Sequence, residues 1–228
     1  MVGTIVNAIA IIIGGAIGSQ LRHGIPERMK ETLMQGMSLA VVVIGISMGL
    51  QTKDFLVVIV ALVLGGVLGE ALRIENGLTS LGHSLEARVK TEGGIARGFI
   101  AASLVYCVGA MAIMGALQDG LTGDHSTLFA KAMIDGISAV ILASTLGIGV
   151  AFSSLPVFAW QGLIAATAHW VAPFLSAAVV TEMTAVGGLL LMAVGTNLLN
   201  MTKIRVGNLT PSIFVAGLIV IIRATLHF

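Results

Sequence analysis

The sequence predicts an all-α protein, a polytopic membrane helix bundle of about eight spans, and three observations lead there. Residues of the set AVILMFWYC make up 57% of the 228-residue chain and charged residues only 10%, where a soluble domain carries about 25%. Apolar stretches of roughly 20 residues, the length that crosses a bilayer, recur from one end to the other. Lys and Arg collect in alternate loops between them, as membrane orientation requires.

The first stretch, 2–20, lacks the basic leader of a secretory signal and reads as a retained span. Spans two and three follow at 33–51 and 54–72. The first ends in GGAIGSQLR (Gly14–Arg22) and the third in GGVLGEALR (Gly65–Arg73). Each carries a GxxxG pair, Gly14/Gly18 and Gly65/Gly69, which lets helix backbones approach closely. Both pairs sit at helix ends, where carbonyls are free, so they read as tight packing and not as phosphate loops.

In the connector 73–97, Ile74, Leu78, Leu81, Leu85 and Val89 recur at helical spacing, with Glu86, Arg88 and Lys90 off the stripe. That is the pattern of an amphipathic helix at the cytoplasmic interface. Spans four and five fall at 98–117 and 129–152. The sixth, 154–170, is interrupted by Gln161 and His169, with Pro173 beyond it. Residues 174–182 form either a short interfacial helix or an extension of span seven, 183–200, and 208–226 is the eighth. The chain thus reads as one transmembrane domain: 1–72, the connector 73–97, 98–172, and two C-terminal spans in 173–228.

With the N-terminus outside, Arg22, Arg28, Lys30, Arg73, Arg88, Lys90, Arg97, Lys203 and Arg205 lie inside, and only Lys53, Lys131 and Arg223 lie outside. This bias expects an external N-terminus. A shift of 100 residues superposes spans one to three on four to six: Ala10 meets Ala110, Gly15 meets Gly115, Gly36 meets Gly136, and Ser38 meets Ser138. Three spans is an odd number, so the second triplet would run opposite to the first. Spans 1–3 and 4–6 therefore read as an inverted repeat, an architecture that places a site near the midplane between its halves.

Span five carries the residues of greatest interest, Lys131 and Asp135. Four residues apart, they share a helix face, which Ser138, Thr145 and Gly149 would continue. Ionisable groups within a span are costly and mark function by default. The repeat sets Gln35 and Ser38 opposite Asp135 and Ser138, so these four are expected to converge. Asn7, Gln161 and Asn197 supply amides, each of which alone would read as an interhelical hydrogen bond. Cys107, the single cysteine, excludes an intrachain disulfide and reads as packing. Glu182 is placed at the start of span seven, where it favours the helix N-terminus. Arg223 is expected to snorkel outward.

The histidines are scattered without metal-ligand spacing. No GxSxG is present, and Ser153-Ser154 has no evident base. Neither catalysis, nor a cofactor, nor a metal is expected. The few dispersed basic residues give no footprint for nucleic acid.

Several stretches resemble one family closely: GEALRIE (Gly69–Glu75), SLVYCVGAMAIMGALQDGLTGDHSTLFAKAMIDG (Ser103–Gly136), LGIGVAFSS (Leu146–Ser154), WQG (Trp160–Gly162) and GNL-x-P (Gly207–Pro211). The chain resembles, over nearly its whole length, the uncharacterised bacterial membrane family typified by YdfK and YqgA, a domain-of-unknown-function group. The resemblance implies a multi-spanning protein of the bacterial inner membrane, described as a transporter, with no established substrate or mechanism. The residues then suggest a transporter or channel for an ion or small polar solute. Asp135 would bear its charge and Lys131 would modulate it, with Gln35, Ser38, Ser138, Asn7 and Asn197 as polar lining. Its partners would be membrane lipid, the solute, and a second copy if the chain forms a homo-oligomer. The alternative is a non-transporting scaffold or sensor acting through its GxxxG faces.

Overall fold

The computed structural model describes residues 1–22, 26–77, 80, 95–107 and 110–225, and no strand occurs among them. Three long helices open the chain: α1 (Val2–Leu21), α2 (Glu27–Gly49) and α3 (Phe55–Leu72). Then come α4 (Ile95–Cys107), α5 (Ala110–Leu121), α6 (Ser126–Leu146), the single turn α7 (Gly149–Phe152), α8 (Ser154–Ala166) and another single turn, α9 (Ala168–Val171). The chain ends in α10 (Ala177–Leu198), the turn α11 (Val206–Leu209) and α12 (Pro211–Thr225). Among the described residues, seven helical segments are long and apolar enough to cross a membrane, with Gly149–Ala166 and Val206–Thr225 each counted as one. Helices α4 and α5, bent by 61° at their junction, supply an eighth.

The residues fall into two compact units, and α2 passes from one to the other after Met37. The first unit takes α1, the start of α2, α4, α5 from Met111, α6 to α8, and α9 as far as His169. Within it α1 runs parallel to α6: Gly3 lies on Leu128, Gly14 on the Gly136 carbonyl and Gly18 on the Val140 carbonyl. A Cβ at Gly14 or Gly18 would overlap those oxygens, so glycine is what brings the two backbones together.

The bent pair α4–α5 runs the other way. Gly98 packs on Leu146 at the end of α6, while Gly115 packs on Thr127 and Leu128 at its start. The two ends of the pair thus lie at opposite ends of α6, so it is one broken span and not a re-entrant loop. Helices α7 and α8 also run antiparallel to α6, from Gly149 beside Ile95 to Ala165 beside Gly120.

The second unit holds Ser38 onward of α2, then α3 and α10 to α12. Here α2 and α10 are antiparallel: Gly195 packs on Ser38 and Val42, and Gly188 on Gly45, Met48 and Gly49. Helices α3 and α12 are antiparallel too, with Gly65 on Ser212, Gly69 on the Asn208 carbonyl, and Arg223 paired with Asp54. The outward face of α3 presents Phe55, Leu56, Ile59, Val63 and Val67, all well exposed. A row of that kind suits lipid, because the helix satisfies its own backbone polar groups.

The polar contacts between helix ends respect the alternation of eight spans. Thr52 and the Lys53 amide bond Glu182, at 2.5 and 2.7 Å, and all three belong to the side assigned as outer. Asp54 with Arg223 joins them there. Arg205 and Asn208 bond Glu70, at 2.7 and 2.6 Å, on the side assigned as inner. Each of these pairs joins groups on one side only.

Three expectations change, and one left open is decided. The fifth span was expected to run to 152, but α6 stops at Leu146 because Gly147 turns the chain with φ +81°. Gly149 therefore leaves the Asp135 face and is pressed instead on the Ile95 carbonyl. Residues 177–182 extend the seventh span, since α10 starts at Ala177 with Ser176 accepting from the Val179 amide at 3.4 Å. Glu182 is consequently not at the helix start: it is buried in the second turn and bonds the α2–α3 loop. Arg223 does not snorkel alone, being paired with Asp54 at the start of α3. Of the expected connector helix, residues 74–77 are helical, and 78, 79 and 81–94 lie outside the described residues.

Candidate functional site: a buried polar cluster in the first unit

Asp135 lies nine residues after Ser126 in the 21-residue helix α6, about 14 Å along its axis and near its middle. The sequence had put it closer to the surface, because the helix begins three residues earlier than span five was drawn. Lys131 Nζ is 2.6 Å from Asp135 Oδ2, and their side chains are only 8% and 6% exposed. Burying two ions costs several kcal/mol each unless geometry and further hydrogen bonds compensate. Here the compensation comes from three other helices.

Asn7 of α1 lies beside the Asp135 carboxyl and donates from Nδ2 to Gln161 Oε1 of α8 at 3.3 Å. Tyr106, in the last turn of α4, sets its ring 5.9 Å from Lys131 Nζ, within reach of a cation–π attraction. The Ser138 hydroxyl is 3.0 Å from the Asp135 carbonyl oxygen and 3.3 Å from Tyr106 Oη. With its one proton on the carbonyl, the phenol supplies the proton of the second bond. Asn7, Tyr106 and Gln161 are each fully buried. Two of their atoms, Asn7 Oδ1 and Gln161 Nε2, are buried without a hydrogen-bonding partner, which is uncommon and points to a functional or water-linked position.

The cluster faces the bend between α4 and α5. Tyr106 and Cys107 end α4, and the helix axis turns by 61° before continuing as α5. A broken helix frees backbone groups that a continuous helix would satisfy, and in membranes such breaks are tolerated where they are enclosed by protein or line a cavity.

Four of the seven residues expected to bind solute meet in this cluster: Asn7, Lys131, Asp135 and Ser138. Gln35 is exposed on α2, and Ser38 is buried in the second unit. Asn197, also of the second unit, holds its own loop. Its Nδ2 donates to the Ile204 carbonyl at 2.7 Å, and its Oδ1 accepts from Thr202 at 2.7 Å and the Ile204 amide at 2.9 Å. Tyr106 was not foreseen. Its signal was that the chain's one tyrosine stands next to Cys107 inside an otherwise apolar span.

The end of the first unit at which α1 begins holds a second acid. Asp119 Oδ1 is 3.0 Å from the Met1 amino group and 2.5 Å from His125 Nδ1. Thr4 donates to its Oδ2 at 3.4 Å.

In the second unit the sequence blocks GEALRIE and GNL-x-P meet. Asn208 Nδ2 donates to Glu70 at 2.6 Å, and its Oδ1 accepts from the Glu75 amide at 2.7 Å. The Glu75 carboxylate accepts from the Gly207 amide at 2.6 Å, at the start of α11. Arg73 between them takes the left-handed conformation, φ 53°, that ends α3. Beside this junction is a polar recess of about 330 Å³ lined by Glu75, Asn200, Lys203 and Arg205, among others.

A family model described as "Protein of unknown function (DUF554)" matches residues 2–221. An uncharacterized membrane protein of Bacillus subtilis (strain 168), YdfK, is 33% identical over 226 residues, 97% of this chain and 96% of its own. The uncharacterized protein YqgA of Escherichia coli (strain K12) is 29% identical over 222 residues, 95% of this chain and 94% of its own. No solved structure matches. With helices suited to crossing a membrane, and with a family match over nearly its whole length, this chain belongs to the DUF554 family of membrane proteins.

Proposed function

We propose that this protein is a transporter or channel of the bacterial inner membrane for an ion or small polar solute, with the Lys131–Asp135 cluster as its charge-bearing site. The observation that carries this is the buried ion pair at mid-helix facing a broken span. A structural pair could have been replaced by apolar packing at no cost in stability, often with a gain. A polar cluster with two unpartnered atoms beside a helix break is the arrangement expected where a solute is handled. The chain carries no catalytic step in this reading. The N-terminus is external, following the Lys and Arg bias.

The inverted repeat belongs to the same proposal. In support, α1 and the broken fourth span run antiparallel within the first unit, the sense an inverted repeat requires. The scaffold alternative is weakened by where the glycines are used. Gly14, Gly18, Gly65 and Gly69 all pack on backbone or side chains of their own unit, so those faces are not available to another chain.

The test is flux into proteoliposomes for a panel of ions and small polar solutes, comparing wild type with Asp135→Asn. For the conducted solute, loss of the charge should lower flux at least about tenfold, equivalent to about 1.4 kcal/mol, while the variant still assembles. Equal flux in wild type and variant for every conducted solute would make the acid structural.

A further inference from the structure

We propose that the polar recess beside the α10–α11 loop is a site for the phosphodiester headgroup of a membrane phospholipid, held by Lys203 and Arg205. This site uses no residue of the Lys131–Asp135 cluster and does not depend on the transport reading. Its volume of about 330 Å³ is at the small end of ligand pockets, about 300–1,000 Å³. That accommodates a headgroup and leaves acyl chains outside. The loop forming its wall is fixed. The Met201 amide donates to the Thr196 carbonyl at 3.0 Å, Asn200 takes φ 59°, and Asn197 bonds Thr202 and both backbone groups of Ile204. The cations are thus presented on a closed turn, without the ordering cost of a mobile loop.

Charge selects the ligand. Lys203 is exposed, lines the recess and has no acidic partner among the described residues. Arg205 gives one N–H of its guanidinium to Glu70 at 2.7 Å, which leaves other donors on its fork. Glu75 is the one carboxylate of the lining, and its Oε2 accepts from the Gly207 amide at 2.6 Å. Two cations against one carboxylate leave a single positive charge, which a monoanionic phosphodiester neutralises. A phosphate dianion would set a second negative charge against Glu75.

Position selects a lipid as the source. The recess is on the side assigned as inner, where basic residues next to a span attract lipid headgroups. Met201 and Ile204, 72% and 40% exposed, stand on either side of Lys203 in the loop. Apolar surface for acyl chains therefore adjoins the cations, and a soluble anion has no use for it.

The experiment titrates the purified full chain in detergent with phosphatidylglycerol and follows the tightest binding event by native mass spectrometry. Dioleoylglycerol carries chains without phosphate, and glycerophosphoglycerol carries the headgroup without chains. Lys203→Gln removes the free cation and Lys203→Arg keeps it. Lys53→Gln makes the same charge change at an exposed lysine outside the recess. Lys203→Gln should unfold with the wild-type midpoint in lipid-free detergent, yet bind phosphatidylglycerol roughly fivefold more weakly, the effect of about one cation near a lipid surface. Lys203→Arg and Lys53→Gln should bind as wild type does, and both partial ligands should bind more weakly than the whole lipid.

Equal affinity of wild type and Lys203→Gln overturns the proposal. An equal loss in Lys53→Gln also overturns it, because diffuse charge would then account for the binding. Glycerophosphoglycerol as tight as phosphatidylglycerol overturns the lipid as source, and dioleoylglycerol as tight overturns the phosphate. None of these results bears on flux through the first unit.

Discussion

Lys131 and Asp135 show how one residue pair can dominate an apolar chain. Each satisfies the other at 2.6 Å, and removing a single partner leaves a buried charge worth about 3–5 kcal/mol of destabilisation. Asn208 does comparable work in the second unit with no charge of its own, accepting from Glu75 and donating to Glu70. Asn208→Ala should cost about 2–3 kcal/mol, since it strands a buried donor and removes a bond to a charged group. Asn208→Asp should rescue nothing, because it sets a carboxylate against Glu70. Thermal unfolding in detergent reads both.

Asp54 gives a pH-dependent case at the same scale. Its bonds to the Arg223 guanidinium and the Leu56 amide hold its pKa below the ordinary 3.8. The carboxylate therefore contributes stability that is complete above the ordinary value and fades as pH falls through the lowered one. The stability difference between wild type and Asp54→Asn should be constant near neutrality and close at strongly acid pH. A difference that persists unchanged through the acid range would contradict the pairing. Lys131 and Asp135 were legible in the sequence because charges within spans are rare. Tyr106 was not, since an aromatic residue in an apolar helix reads as core until its neighbours on α6 are known.

Helices here are set by glycine contacts and by breaks. Gly14 rests on the Gly136 carbonyl with no room for a Cβ, whereas nothing lies within 4 Å of a Cβ at Gly36. Gly14→Ala should therefore destabilise by about 2–3 kcal/mol, the cost of overpacking against backbone. Gly36→Ala should be neutral or stabilising by up to about 1 kcal/mol, through helix propensity alone. Equal effects in unfolding experiments would refute the assigned packing. GxxxG spacing in the sequence announced that α1 and α3 pack tightly, but it did not say on what. Their partners, α6 for one and α11–α12 for the other, are more than a hundred residues away along the chain. The end of the fifth span was misjudged for a related reason: Gly147 is one glycine among 29, and only its positive φ marks it as the turn.

At the scale of the whole molecule, composition and span length were enough for an all-helical membrane bundle of about eight spans. The grouping of those spans was not legible. A shift of 100 residues divides the chain into 1–72 and 98–172, yet α1 packs with α6 in the first unit while α3 packs with α12 in the second. Apolar helices look alike in sequence, and which pairs touch is decided by small residues and polar anchors dispersed along the chain. Alternation is nonetheless consistent throughout, because each polar bond between helix ends joins groups assigned to one membrane side. The α4–α5 pair departs furthest from a straight helix, bent by 61° after Cys107.

That break gives the most direct test, because the chain's single cysteine ends the helix that precedes it. Cys107 lies at the end of α4, next to Tyr106, whose ring is 5.9 Å from Lys131 Nζ. If the cluster lies on a solute path, silver ion supplied in water to wild-type proteoliposomes should titrate the Cys107 thiol and block flux, and Cys107→Ser should resist both effects. A Cys107 that stays unreacted in the folded protein, and is titrated only after unfolding, would show a sealed interior and contradict the assignment of this cluster to transport.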